Sequence, residues 1–393
     1  MNDDRAIKIT KTLTLKYEKA FSSNSIVEKF RFIGDLLRSV EDSSQSMKNV
    51  FCMTNPLVDH KNTTKENAVS EIEKACIIFL KDMAKTGKQM LFKDSPCAEA
   101  QAYIGMVYEL GVFGVKENHK KAYGYYTIAA RQNNALGTFR LAQCFEKGIG
   151  KTKNNEKALT FYRCAAKLGL IEALHTFGSI LIYGDLGCPR DPASGIFYLK
   201  LAANRSTSSY PYPYFDLARC FESDNAIKEI ISDDRYAFNL YMKGARLGCY
   251  NCQYRVARCY EYGNLQNERD MEKAIYWYKK ASQAGQIDAQ LALSSLYFTG
   301  IDNVLEKDNS KAYIWALKAA VKGHTVAAFT VAEFVEAGIG VKKDKIHALW
   351  WYTIASVLGH ASANSKIDEL QRRVQQETKL GEGENFKSRC RLF

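Results

Sequence analysis

Apolar residues recur three and four positions apart along most of this chain, in blocks that resemble one another. The block KAIYWYKKASQAG at 273–285 has relatives that begin at Lys121, Lys157, Ser194, Tyr236, Lys311 and His347. Aligned on the small residue that opens each, namely Ala122, Ala158, Gly195, Ala237, Ala274, Ala312 and Ala348, the steps are 36, 37, 42, 37, 38 and 36 residues. That period predicts an array of stacked helical hairpins, each burying its apolar face on the next.

A second apolar pattern precedes each block, first as AEAQAYIGMVYELG from Ala98. Its small residues Gly105, Ala142, Gly178, Ala218, Ala257, Ser294 and Ala332 share one helical position. The bulky residues Tyr108, Phe145, Leu181, Phe221, Tyr260, Tyr297 and Val335 follow three positions later. Small against large lets two helices approach and interdigitate. Glycines such as Gly148, Gly150, Gly338 and Gly340 then end the first helix of the hairpin. The expected fold is all-α: an α-solenoid of seven hairpins, wound into a right-handed superhelix with a long concave surface. The aromatic stripe Tyr125, Phe161, Tyr198, Trp277, Trp315 and Trp351, three residues after the small residue of each second helix, is expected to be core rather than a stacking platform for bases or sugars.

The flanks follow other patterns. Residues 1–24 alternate Lys with Ile, Thr and Leu and carry no helical stripe. Ser25 and Glu28 form a capping box that opens a helix to about Val40, with Ile26, Phe30, Ile33, Leu37 and Val40 on one face. Residues 41–66 are rich in turn formers and read as an extended connection. A helix over about 68–87, with Ile72, Ala75, Cys76, Phe79, Leu80 and Met83 inward, reads as a half repeat capping the array. The expected organisation is an N-terminal extension (1–60), a capping half repeat (61–97), seven repeats (98–360), a C-terminal capping helix (361–377) and a flexible tail (378–393). Two insertions break step, RSTSSYPYPY at 205–214 around Pro211 and an acidic loop between Glu222 and Arg235 around Ile230. Both read as surface loops.

A net charge of +12 and a pI near 9.0 point to an anionic partner such as a membrane surface. The Lys and Arg residues are spread over many helix faces, which argues against nucleic acid. Asp3, Asp4, Lys8, Lys11 and Lys16 interrupt any apolar run at the start, so no secretory signal is expected. The longest uncharged run, 348–365, fits the repeat as helix, Gly359-His360 turn and helix, not as a membrane span. Eleven scattered cysteines read as reduced thiols.

Candidate chemistry reduces to scaffold. Cys249 and Cys252 form a CxxC without a second pair at zinc-finger spacing. Cys144, Cys220 and Cys259 share one helical position, which other repeats fill with Val107 or Ile180, so packing is their role. His324 and His360 follow repeat-ending glycines, His347 lies on an aromatic face, and none has a partner at i+4. No catalytic, cofactor-binding or metal-ligating set is expected. Outside the repeat logic, FKSRCRLF places Cys390 in a C-a-a-X context whose final Phe favours a geranylgeranyl group. Lys387, Arg389 and Arg391 add attraction to anionic lipid.

The AEAQxxxG start, the GxG turn and the KAxxWYxxA(A/S)xxG finish resemble Sel1-like repeats, relatives of tetratricopeptide hairpins. AEAQAYIGMVYELGVFGVKENHKKAY, FRLAQCFEKGIG, IYGDLGCPRD and EKDNSKAYIWALKAA are more specific, and resemble successive repeats of the fungal chitin synthase activators. The resemblance implies a non-catalytic regulatory subunit whose partner is a chitin synthase. It also implies a prenylated cysteine near the end, here Cys390, holding the protein on the cytoplasmic face of a membrane. Family members commonly carry a long low-complexity region before the array, where this chain has a short extension. A generic Sel1-type scaffold for another complex, such as one in ubiquitin-dependent quality control, is the alternative.

Overall fold

The computed structural model describes residues 16–22, 26–47, 74–84, 96–223 and 229–379. Among them the only β pairing is two isolated bridges, Thr207 with Tyr210 and Ile301 with Leu305. Helices α1 (16–22), α2 (Ile26–Met47) and α3 (74–84) precede the array. The array runs α4 (Pro96–Leu110), α5 (His119–Arg131), α6 (Ala135–Lys147), α7 (Asn155–Lys167), α8 (Ile171–Tyr183), α9 (Pro192–Arg205), α10 (Pro213–Phe221), α11 (Asp234–Arg246), α12 (Tyr250–Tyr262), α13 (Met271–Gln283), α14 (Ile287–Thr299), α15 (Asn309–Val321), α16 (Thr325–Ala337) and α17 (Lys345–Val357). Helix α18 (Ala363–Lys379) packs on α17. The described residues fall into two compact units, one up to Ser232 and one from Asp233.

The polar consensus builds the turn inside each hairpin. Asn118, Asn154, Asp191, Asp233, Asp270, Asp308 and Asp344 cap the second helices, each accepting the backbone N–H three residues on at 2.8–3.1 Å. The backbone N–H groups of Asn118, Asn154, Asp191, Asp270 and Asp308 donate at 2.8 Å to the carbonyls of Tyr108, Phe145, Leu181, Tyr260 and Tyr297. One residue thus supplies an acceptor to the second helix and a donor to the end of the first. Replacing Asn154 with Ala is expected to cost about 1 kcal/mol, while Asn154→Asp retains the cap; urea midpoints of the two variants check this.

The second glycine of each GxG turn has a role beyond ending a helix. A Cβ on Gly150 would lie 2.2 Å from the carbonyl oxygen of His119, and one on Gly340 would lie 2.0 Å from that of Asn309, both at φ near +70° (+68° and +69°). These glycines let the turn of one hairpin rest on the N-terminus of the preceding second helix. Successive hairpins are also tied by the glutamine of the AxAQ motif. Buried Gln253 donates from Nε2 to the Ala245 carbonyl at 3.1 Å, and buried Gln290 to that of Ser282 at 3.0 Å, satisfying last-turn carbonyls of the helix before.

The core lies one residue beyond the stripe expected to form it. Tyr125, Phe161, Tyr198, Trp277 and Trp315 are only half-buried, and Trp351 alone of that set is buried. The side chains fully inside are Tyr126, Tyr162, Leu199, Tyr241, Tyr278 and Tyr352. A helix advances about 100° per residue, so the fourth position after the small residue returns to its face, whereas the third is turned about 60° away. A Cβ on Gly105 would lie 2.4 Å from the Tyr126 ring, which shows the small residue of one helix receiving the tyrosine of the other. The half-buried rings form an outer layer, with Tyr125 stacked on Tyr108 at 5.7 Å and Phe161 on Phe145 at 5.6 Å.

Four of the fully buried tyrosines bring a carboxylate with them. Tyr126 donates to Glu109 at 2.5 Å, Tyr278 to Glu261 at 2.5 Å, Tyr352 to Glu336 at 2.7 Å, and Tyr162 to Glu146. The two positions change together within this one chain. Where Leu199 and Ala316 replace the tyrosine, Ile182 and Phe298 replace the glutamate, and Tyr241 has Glu222 at the matching position. Burial, reinforced by the carboxylate, pushes the phenols of Tyr126, Tyr162, Tyr278 and Tyr352 well above the ordinary tyrosine range.

Two expectations for the N-terminal flank change. Helix α2 continues to Met47 rather than ending near Val40, since nothing in EDSSQSM breaks a helix. Residues 16–22 are helical although no stripe was read there, and Tyr17 and Phe21 stack at 4.6 Å beside Phe32 and Phe79. The α2 face of Phe30, Ile33 and Leu37 is covered within the chain, by α4 and by Phe79 of α3. A Cβ on Gly34 would lie 2.6 Å from the Tyr103 hydroxyl, so α2 sits tightly on α4. Ser25, Ile72, the 41–66 connection beyond Met47 and the tail from 380 lie outside the described residues.

Candidate interaction surface

The charged side chains of the repeat motif are mostly committed to the scaffold. Lys121, Lys157, Lys273 and Lys311, the lysines that open the motif, hold their ammonium groups over the rings of Tyr108, Phe145, Tyr260 and Tyr297 at 5.2–5.7 Å. Lys273 and Lys311 also pair with the caps Asp270 and Asp308 at 2.8 and 2.9 Å. The glutamate of each ladder pair is held by its tyrosine.

The cysteines are likewise internal. Cys144, Cys220 and Cys259 are buried at their shared position, and burial pushes their thiols up to about 12, about 12 and about 11. Cys249 and Cys252 are buried, whereas Cys164 is exposed. Iodoacetamide at neutral pH is expected to label Cys164 faster than Cys144 by more than about a hundredfold, read by peptide mass spectrometry. Comparable rates would mean that the hairpins open far more readily than this packing allows.

The histidines also resolve into structure. His324 caps α16, accepting the Ala327 N–H at 3.1 Å; His360 stacks on Phe329 at 4.0 Å; His347 accepts from the Trp351 indole at 3.0 Å. Among the described residues no group of three or more His, Cys, Asp or Glu is arranged to hold a metal. Nor is any described helix long and apolar enough to cross a membrane.

One constellation escaped the sequence reading. His175 of α8 lies 2.9 Å from the Tyr210 hydroxyl through Nδ1 and 2.5 Å from the Asp216 carboxylate through Nε2. Its partners are 35 and 41 residues away in sequence, and no repeat period relates them. The arrangement pins the 205–214 insertion to the face of the first helices, so that segment is an ordered turn and not a loose loop. Both imidazole nitrogens are thereby occupied.

A concave surface lies in the unit from Asp233. A cavity of about 370 Å³ is lined by Tyr254, Arg258, Glu261 and Tyr262 of α12, Tyr278 of α13, and Ala292, Ser295 and Leu296 of α14. A second of about 530 Å³ adds Asp288, Leu291 and Phe298 of α14 and Val326, Thr330, Glu333 and Phe334 of α16. The two share Tyr254, Ala292 and Ser295, so they form one cleft across three successive first helices. Its apolar floor arises where the sixth hairpin leaves the repeat: Phe298 stands at the ladder glutamate position, and Ala292 and Ser295 are small. Partial burial raises the Glu333 carboxyl above the usual carboxylate range. Cys390, the expected lipidation site, lies outside the described residues, and of the residues lining this cleft the sequence marks Ser294 only as a small packing residue.

Comparison with known proteins places the array. Sel1 repeats are matched at residues 98–134, 135–170, 178–206, 214–249, 251–286, 287–324 and 325–360. The chain is 31% identical over 271 residues to chitin synthase regulatory factor 3 of Schizosaccharomyces pombe, covering 69% of this chain and 29% of that protein. It is 30% identical over 299 residues to the chitin synthase regulator SKT5 of Saccharomyces cerevisiae, covering 75% of this chain and 42% of that protein. The chain therefore spans less than half the length of either relative. A Sel1 repeat protein from Oxalobacter formigenes has the same fold, with a TM-score of 0.58 at 22% identity over 91% of this chain and 93% of that one.

Proposed function

This chain belongs to the Sel1 repeat family, and on that premise we propose that it is a non-catalytic adaptor that binds a chitin synthase and activates or localises it at a membrane. The observation that carries the reading is that the regulator-named relatives align across most of the array, over 69 and 75% of this chain. Its physical basis is that of a helical repeat: stacked hairpins present side chains on which a partner segment binds without a reaction centre.

The membrane part of the reading rests on the tail. A prenyl group on Cys390 inserts into the bilayer, and Lys387 and Arg389, which remain after the last three residues are removed, attract anionic headgroups. One lipid chain alone binds only marginally, so the basic residues are the second signal that retention at the cytoplasmic face requires. Confinement to the same surface as a membrane enzyme raises the effective concentration of each for the other, and individual contacts can then be weak.

Two measurements test this. Mass spectrometry of the native carboxyl terminus is expected to show a lipid on Cys390 with residues 391–393 removed; an unmodified terminus would remove the anchor from the reading. Pull-down from detergent extracts is expected to recover a chitin synthase, and its repeated absence alongside other partners would favour a generic scaffold.

A further inference from the structure

The cleft across α12, α14 and α16 sets exposed carboxylates beside an apolar floor. Elsewhere, ladder glutamates and motif lysines are held by tyrosines, caps and ring faces. Here exposed Glu333 makes no ion pair among the described residues, Lys366 and His360 acting on it only from farther off, and at the other end the Arg258 guanidinium lies over the Tyr262 ring at 5.4 Å. Between these ends the floor is Leu291, Ala292, Phe298 and Phe334, and Val326 stands 47% exposed at the edge. Asp288, which receives the Gln286 amide at 2.9 Å and lies 3.5 Å from Nε2 of His324, adds a second acidic group beside Glu333 in the larger cavity.

We propose that this cleft docks a short peptide segment of a partner protein in which an aliphatic or aromatic side chain is followed within a few residues by Lys or Arg. The apolar side chain enters over Leu291, Ala292 and Phe298, and the cation meets Glu333 and Asp288. Charge complementarity selects this occupant: two carboxylates at the larger cavity attract a basic residue and repel phosphate, while an apolar floor repels a purely charged segment. The combined volume suits two or three side chains, so the affinity is modest and gains from confinement to a membrane. The proposal rests on the adaptor reading above and names the chemistry of the segment recognised.

The test uses the full chain and fluorescence anisotropy with three labelled decapeptides. One carries Leu-Leu-Ser-Arg-Arg between Gly-Ser flanks; in the second both Arg are Glu; in the third both Leu are Ser. The Leu/Arg peptide is expected to bind at least about tenfold more tightly than either control. Glu333→Lys is expected to reverse the preference between the Arg and Glu peptides, a charge swap that a merely unfolded variant cannot produce. Ser295→Trp, at an exposed position shared by both cavities, is expected to abolish binding with an unchanged circular dichroism spectrum and melting temperature. Equal binding of all three peptides, binding of none, or an unchanged preference in Glu333→Lys overturns the proposal. Chitin synthase capture separates the two readings. Capture that survives Ser295→Trp overturns the cleft and keeps the adaptor, whereas peptide selectivity without chitin synthase capture keeps the cleft and overturns the adaptor.

Discussion

Tyr278→Ala is expected to lower the unfolding free energy of the unit from Asp233 by about 3–5 kcal/mol. The ring is 1% exposed and fills the crossing of α12 and α13, so truncation leaves a cavity that fixed helices cannot close. It also strands the Glu261 carboxylate. The conservative variant separates the two effects: Tyr278→Phe keeps the packing and removes only the hydroxyl, for an expected loss of about 1–3 kcal/mol. The chain itself contains the control. Leu199 with Ile182 shows that both partners can be apolar together, and there Gly178 and Gly195 bring the helices close, a Cβ on Gly178 meeting the Gly195 carbonyl at 3.0 Å. Tyr278→Leu combined with Glu261→Ile is therefore expected to be milder than Tyr278→Leu alone, because no charged group is left without its partner. Urea denaturation of the parent, Tyr278→Leu, Glu261→Ile and the double variant reads the cycle, and strict additivity would mean that the hydrogen bond contributes nothing beyond packing.

Raising the pH above about 10 is expected to unfold the array more steeply than solvated tyrosines would allow. The phenols of Tyr126, Tyr162, Tyr278 and Tyr352 titrate near 10 in the unfolded chain and well above that when buried. Their contribution is thus fully present below the unfolded value. Above it the unfolded chain releases protons that the native chain retains, and stability falls until the folded value is reached. Each such phenol removes about 1.4 kcal/mol per pH unit in that window, or about 2.7 kcal/mol for the two in each unit. Denaturant midpoints at pH 9, 10 and 11 should stay level and then drop. In Tyr352→Phe the drop should be shallower by one phenol, and since every lysine remains in that variant, the difference isolates the tyrosine. Parallel slopes would show that Tyr352 does not stay protonated in the fold.

The ladder was legible before any coordinates, although periodicity was not the signal that carried it. Alignment of the small residues places an aromatic stripe three positions on, and that spacing alone does not distinguish it from the ring at the fourth position. The coupled loss of Tyr and Glu in the third and sixth hairpins would have identified the buried ring instead, since a buried hydroxyl and its carboxylate must be replaced together. The seven caps were also readable, each an Asn or Asp three residues before the Lys, Ser, Tyr or His that opens a block. His175 was not readable in this way. Its partners Tyr210 and Asp216 sit on either side of an insertion, and only the folded turn sets the hydroxyl and carboxylate on opposite ring nitrogens.

Sequence by itself determined the repeat: its period, its helical hairpins, its reduced cysteine packing and its family, because each hairpin must satisfy the same local demands for a cap, a turn and an apolar face. Tertiary structure alone decided which ring is core, that the face of α2 is covered by α4 and Phe79, and where the cleft lies. A cleft depends on what neighbouring hairpins fail to fill. Phe298, Ala292 and Ser295 look like ordinary variation along one helix and become a binding floor only when α12 and α16 stand on either side.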